Sequence, residues 1–292
     1  VEAANYPFAT IDPNVGVVEV PDPRLTEITK RIQPQKEIPT TFEFIDIAGL
    51  VEGASKGEGL GNRFLSHIRE VDAICHVVRC FDDETITHVS ESVDPIRDIE
   101  IINLELILAD LQTVENRLGR IKSKVKAKDA EAIAENALLE RFKTTLESNG
   151  LVRSLELTEK EEKIARGFHL LTYKPVLYIA NMSEEEVVDP EANAYYQAVV
   201  KHAADEGSDV IPISAKIEED LMDLDDEDKA MFFEELNITE SGLDRVIRAT
   251  YTLLDLRTYF TAGEKEVRAW TFRAGAKAPE AAGIIHSDFE RG

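Results

Sequence analysis

Cysteine is nearly absent from this 292-residue chain, which holds only Cys75 and Cys80. Their spacing fits neither a zinc knuckle nor a redox pair, so both read as small buried side chains. Without a disulfide framework, a reducing compartment and a cytoplasmic location are expected. Long apolar runs are missing too. No stretch approaches the roughly 18 residues of a membrane span, so no membrane association is expected. No signal peptide opens the chain. An initiator Met is also lacking, and the last residues stop without a helix or strand ending, which reads as a piece of a longer protein. Basic residues are scarce, 33 Lys and Arg against 57 Asp and Glu, and this excludes a free basic nucleic-acid-binding domain. Apolar content is not lacking: at 43% it suffices for a real core and excludes a disordered chain.

The shortage of positive charge is uneven. Residues 1–97 hold 9 basic against 17 acidic side chains, 98–167 hold 12 against 14, 168–255 hold 6 against 21, and 256–292 hold 6 against 5. The second and fourth segments are therefore nearly neutral in a chain of net charge −24.

Hydrophobic patterning predicts strands over 15–20 and 41–47, a Gly-rich loop over 48–61, a short helix over 62–70 and a buried strand over 72–80. Two further short strands are expected over 176–180 and 210–213, with a helix over 192–204 between them. Strands alternating with helices argue for an α/β fold with a parallel sheet. Segment 98–167 breaks the alternation. Leu104, Ile107, Leu111, Val114, Leu118, Ile121 and Val125 step by 3 and 4, a coiled-coil seam. A return helix carries Ile133, Leu138, Phe142 and Leu146, so an antiparallel helical hairpin inserted into the α/β domain is predicted. Its tip holds Arg117, Arg120, Lys122, Lys124, Lys126 and Lys128 with no acid among residues 117–128, a place for a polyanion such as RNA. The acidic run 218–228 reads as solvated surface without a metal. A small β-rich piece begins near Leu256, with strands expected over 267–272 and 283–285.

The strongest chemical signal is Asp46-Ile47-Ala48-Gly49. An Asp ending a strand with a Gly three residues on is the arrangement that supports magnesium and senses a γ-phosphate in P-loop NTPases. Upstream, Thr10 stands in a loop, TIDPNVG, where such enzymes place a magnesium-ligating Thr. Downstream, one strand ends in Asn181-Met182-Ser183-Glu184 and another in Ser214-Ala215-Lys216. These are the positions of base-reading loops.

The stretches YPFATIDPNVGVV, DIAGLVEGASKGEGLGNRFL, SVDPIRDIEIINLEL and TYFTAGEKEVRAWTF together resemble the YchF family of Obg-like ATPases, in the Obg branch of translation-factor-class P-loop NTPases. The resemblance covers essentially the whole chain. It implies a G domain (1–97 and 168–255), a helical hairpin insertion (98–167) and a partial C-terminal TGS domain (256–292). It further implies ATP hydrolysis with Mg2+, and a ribosome partner met through the basic tip and the TGS domain. Guanine-specific loops read Asn-Lys-x-Asp, whose Asp accepts from guanine N1–H and N2–H2. Here Met182 replaces the Lys and Glu184 the Asp, which argues against guanine. Asn181 can serve the Hoogsteen edge of a purine, Met182 can offer its backbone and apolar surface to the base, and Ser214 and Ala215 complete the pocket. Leu50 stands where Ras-like enzymes place a catalytic Gln, and Leu cannot orient water. The resemblance assigns that role to a histidine matched by His88, with Gly49 and Leu50 beside it. No G-x-x-x-x-G-K-[ST] occurs in these residues, so the phosphate-cradling loop is expected upstream of Val1, and the chain as given would bind ATP poorly. Two other readings remain open: an Obg-branch GTPase, and a non-catalytic ribosome- or RNA-binding adaptor.

Overall fold

A computed structural model describes residues 14–47, 60–83, 85–86, 92–235 and 238–291. In chain order the elements are β1 (Asn14–Glu19), α1 (Pro23–Ile32), β2 (Glu37–Ile38), β3 (Thr41–Asp46), α2 (Leu60–Glu70), β4 (Ile74–Arg79), α3 (Pro95–Lys126), α4 (Ala130–Glu147), α5 (Glu159–Arg166), β5 (Val176–Asn181), α6 (Ala194–Glu206), β6 (Asp209–Ile213), α7 (Ala215–Met222), α8 (Asp226–Glu235), α9 (Gly242–Leu253), β7 (Leu256–Ala262), β8 (Val267–Arg273), α10 (Ala278–Gly283) and α11 (Asp288–Arg291). Among the described residues three sheets result, in the orders β1-β3, β2-β8-β7 and β4-β5-β6.

The chain divides into two compact units. Among the described residues, one comprises those of 47–178 and 191–210; the other comprises those of 14–46, 179–190 and 211–291. In the first, α3 and α4 are joined by residues 127–129 and run back along one another, with ion pairs Arg117–Glu135 and Lys143–Glu115 between them. Their shared core holds Ile107, Val114, Ile121, Leu138, Leu139, Phe142 and Leu146. The turn needs a left-handed residue, supplied by Lys128 at φ 58°, and Asp129 starts α4 by accepting from the Ala132 amide at 2.8 Å.

Two seam positions differ from the sequence reading. Leu104 is 45% exposed and Ile133 46% exposed. At its root α3 turns Leu106 onto Leu65 and Ile68 of α2 and onto Leu171, which leaves Leu104 outside. On α4 the Asp129 cap sets the phase so that Ala132, 3% exposed, faces inward in place of Ile133. The strand expected over 72–80 is shorter, and Val77 on it is 59% exposed. Cys80 is fully buried while Cys75 is half-buried.

In the second unit β1 and β3 pair antiparallel, with Val15 opposite Ile45. Alternating strands and helices had argued for parallel pairing. The excursion between them closes on itself, because the Val20 amide donates to the Thr40 carbonyl at 2.9 Å. It sends β2 to pair with β8 in the other sheet. Strands β7 and β8 form an antiparallel hairpin. Leu25 and Ile28 of α1 pack on Phe260, Val267 and Ala269 of that hairpin. Helix α9 lays Ile247 and Tyr251 against Val20, Phe42, Phe44 and Leu256. The Tyr251 hydroxyl reaches the Arg257 carbonyl at 3.2 Å and the Thr258 and Thr271 hydroxyls at 2.8 and 3.1 Å.

The strand expected over 283–285 is absent; the backbone there leaves α10 through turn bonds, Ile284 to Ala281 among them. Pro279 near the helix start and the Lys277 amide bonded to Glu280 favour a helix at this point. No described helix is long and apolar enough to cross a membrane.

Candidate functional site

The ends of β5 and β6 bring four of the expected site residues together. The Met182 amide donates to the Ile213 carbonyl at 2.8 Å, and the Ala215 amide donates to Asn181 Oδ1 at 3.0 Å. Strand β5, buried from Val176 to Ala180, delivers its last residue, Asn181, to this edge. Ser214 is buried and caps α7 by accepting from the Ile217 amide, so its hydroxyl is engaged locally. Beyond Asn181 the chain makes one tight turn: the Ser183 hydroxyl donates to Glu186 at 2.8 Å and accepts from the Glu186 amide at 3.3 Å.

That turn leaves Glu184 exposed. Met182 is only 2% exposed, so its thioether belongs to the core, and the surface it offers is backbone. Lys216 pairs with Asp220 at 2.8 Å, and that carboxylate holds the ammonium above its ordinary range.

The Asn181 contact has a directional consequence. Its carbonyl oxygen is held by a backbone N–H, so its amide nitrogen faces the other way as a donor. Such a donor suits purine N7, an acceptor common to adenine and guanine.

Asp46 is the exposed last residue of β3, opposite Asn14. By strand alternation it shares the face of Phe42 and Phe44. Among the described residues no group of three or more His, Cys, Asp or Glu could hold a metal ion. A single carboxylate of this kind fits a magnesium held through water, and does not make a protein cage. Thr10, Gly49, Leu50 and His88 lie outside the described residues.

Helix α2, which follows the Asp46 loop, is fastened at its C-terminal end. Arg69 donates to the His169 carbonyl at 3.2 Å and to the Thr113 hydroxyl of α3 at 3.1 Å. Lys174 Nζ donates to the Arg69 carbonyl at 3.1 Å and also to that of Val71. Asp110 of α3 is fully buried and accepts from the Leu171 and Thr172 amides and the Thr172 hydroxyl, at 2.7–2.9 Å.

Sequence reasoning passed over a second polar centre. Glu206, at the end of α6, accepts from Arg153 at 2.8 Å, the Tyr178 hydroxyl at 2.9 Å and Asn103 at 3.4 Å, and lies 3.1 Å from His202 Nε2. Burial acts to raise the Glu206 carboxyl, but the Arg153 hydrogen bond and charge outweigh it and hold the group below its ordinary range. The His76 ring stands 5.6 Å from that of Tyr178. Desolvation, then the Arg153 charge, pushes its pKa down to about 4. These partners come from five separated places in the chain, so no local spacing announces them. The acidic run also holds a structural residue: Glu218 accepts from the Gly242 and Leu243 amides at 2.7 and 3.1 Å and caps α9.

Comparison with known proteins shows what the chain is similar to. A family model described as 50S ribosome-binding GTPase matches residues 1–116. A model of the YchF GTPase C-terminal domain, described as a protein of unknown function (DUF933), matches residues 256–292. The chain therefore combines a P-loop GTPase domain with a YchF C-terminal domain in a mixed helix and sheet fold. The protein named ribosome-binding ATPase YchF in Bacillus subtilis is 61% identical over 291 residues, covering 100% of this chain and 80% of that protein. Its namesake in Escherichia coli O157:H7 is 54% identical over 292 residues, with the same coverage. The solved structure of the Schizosaccharomyces pombe YchF GTPase superposes with a TM-score of 0.84 at 42% identity, covering 99% of this chain and 78% of that one. On these grounds the chain belongs to the YchF family of P-loop nucleotide-binding proteins.

Proposed function

We propose that this protein is a ribosome-associated ATPase that hydrolyses ATP to ADP and phosphate with Mg2+ and acts as a nucleotide-dependent switch. The relatives' shared name, ribosome-binding ATPase, supports both the ribosome and the nucleotide. The observation that carries the purine-nucleotide reading is the Asn181–Ala215 contact at 3.0 Å. It turns the Asn181 amide nitrogen toward a purine edge that both bases share, which leaves discrimination to the next positions. There the guanine-reading Asp is replaced by Glu184, exposed and without a hydrogen bond among the described residues. Adenine has no N2 amino group and its N1 is an acceptor, so a carboxylate there gains nothing from it.

In this reading Asn181, Met182, Glu184, Ser214 and Ala215 form the base pocket. Thr10 and Asp46 hold magnesium, which when bound neutralises charge at the β- and γ-phosphates. Gly49 offers an unobstructed amide at the γ-phosphate, Leu50 stands beside it and cannot activate water, and His88 orients the attacking water. The nucleotide domain comprises 1–97 and 168–255, the coiled-coil hairpin 98–167, and the partial TGS domain 256–292. The ribosome is met through the exposed tip, at Arg120, Lys122, Lys124, Lys126 and Lys128, and through the TGS domain. Arg117 belongs to the same basic stretch but is already paired with Glu135. A cytoplasmic location goes with that partner.

Competition between ATP and GTP on the full-length protein tests the base assignment. ATP should win, and GTP displacing ATP at equal affinity would overturn it in favour of an Obg-branch GTPase. Absence of any nucleotide turnover would favour the ribosome- or RNA-binding adaptor. Single-turnover hydrolysis by His88→Ala tests the histidine: an unchanged rate removes it from the mechanism.

A further inference from the structure

The loop that carries Ser214 and Ala215 is gripped at both its ends by the first turn of α9. Before the loop, Arg245 donates to the Pro212 carbonyl at 2.7 Å. Next to it, Gly242 passes so close that a Cβ there would come within 2.9 Å of Ile213 Cγ2 and 2.8 Å of Glu218 Oε1. After the loop, Glu218 accepts from the Gly242 and Leu243 amides at 2.7 and 3.1 Å. Helix α9 has a cap of its own besides, since Ser241 accepts from the Asp244 amide at 3.0 Å. The Glu218 carboxylate therefore adds a tie between two helices to a start that is already capped.

The tie reaches the base-reading residues in two short steps. Helix α7 runs from Ala215 to Met222, with Ser214 as its cap, so Glu218 lies one turn along a short, stiff element. Holding Glu218 fixes where Ala215 stands. The Ala215 amide in turn donates to Asn181 Oδ1 at 3.0 Å, and the Ile213 carbonyl takes the Met182 amide at 2.8 Å. The stretch 212–218 thus meets both α9 and the strand end that carries Asn181. An N–H···O bond tolerates only a few tenths of an ångström, so a shift of about 1 Å at Ala215 would release the Asn181 oxygen. The freed side-chain amide could then rotate, and its nitrogen would no longer be a donor of fixed direction.

We propose that Glu218 is a positioning residue for the purine: by tying α7 to the start of α9 it holds the Ala215 amide against Asn181 and keeps the Asn181 amide nitrogen aimed at the base. This inference deepens the base-pocket reading and rests on it. Glu218 acts through Ala215 and Asn181, not on the nucleotide itself.

The test is equilibrium ATP binding, and single-turnover hydrolysis at saturating ATP, by the full-length protein carrying Glu218→Ala, alone and combined with Asn181→Ala. Glu218→Ala should weaken ATP binding by about tenfold, the scale of one hydrogen bond to the ligand. The rate at saturation should stay at the wild-type value, because the phosphate end is untouched. In the Asn181→Ala background Glu218→Ala should add no further loss of affinity. Gly242→Ala pushes the start of α9 away from Ile213 and Glu218 without removing a hydrogen-bonding group. It should give the same pattern, which keeps the test available if Glu218→Ala fails to fold. Wild-type ATP affinity in Glu218→Ala (or, where that variant does not fold, in Gly242→Ala), a multiplicative loss in the double variant, or a slower rate at saturation would overturn the role of Glu218 alone. Wild-type ATP affinity in Asn181→Ala would overturn the base-pocket reading and this inference with it.

Discussion

Glu206 shows what a single carboxylate does when partners from α3, β5 and the segment after α4 converge on it. Arg153 has no other charge partner among the described residues, and its Nε and one terminal nitrogen find no hydrogen bond there. Glu206→Ala should therefore cost about 3–5 kcal/mol, the scale for stranding a buried charge, read by denaturant unfolding. His76 adds a pH dependence whose sign follows from its depressed pKa of about 4. The folded state keeps the ring neutral, whereas the unfolded chain takes up a proton below about pH 6.5. Stability should be full above that pH and fall by about 1.4 kcal/mol per pH unit toward pH 4. His76→Phe should flatten this slope in unfolding curves taken between pH 7 and 4. At this scale the sequence made the strand-end positions of Asn181 and Ser214 legible. It was not legible for Glu206, whose partners lie at 103, 153, 178 and 202 and meet only through tertiary packing.

At the scale of elements, the two long helices were readable as a pair because seven seam positions repeat over α3. The phase of each end was not, since it depends on what lies outside the pair. Leu104 gives way to Leu106 because α2 and Leu171 claim that face, and Ile133 gives way to Ala132 because Asp129 sets where α4 starts. The difference is measurable. Leu139→Ala, at a side chain with no exposure, should destabilise by about 2–5 kcal/mol. Ile133→Ala, on the solvent side, should stay within about 0.5 kcal/mol. Equal losses in thermal unfolding would contradict the packing described. The parallel sheet expected from alternating strands and helices does not extend to β1 and β3, which pair antiparallel. A helix between two strands suggests a parallel crossover, but here the intervening chain is closed by the Val20–Thr40 bond and lends β2 to a different sheet.

For the whole molecule, a net charge of −24 conceals a short stretch, 117–128, that is basic and free of acids; we propose that it meets the ribosome. Five exposed cations near the end of α3 carry no ion pair among the described residues, while Arg117 is matched by Glu135. Replacing Lys122, Lys124 and Lys126 with Gln should weaken ribosome co-sedimentation and flatten its dependence on salt, by about 0.7–0.9 in the log–log slope for each phosphate that is no longer neutralised. Arg117→Gln should change that slope far less.

Helix α9 bears on how such a protein can change over generations. Arg245 on α9 holds the Pro212 carbonyl of β6 at 2.7 Å, and a Cβ on Gly242 would come within 2.9 Å of Ile213. Further along the helix, the Tyr251 hydroxyl is satisfied by β7 and β8. The strand that precedes Ser214 and the hairpin that follows Leu254 thus lean on the same helix. A C-terminal module grafted from a distant relative at residue 255 would bring strangers to Tyr251, so recombination there should succeed only when α9 travels with it.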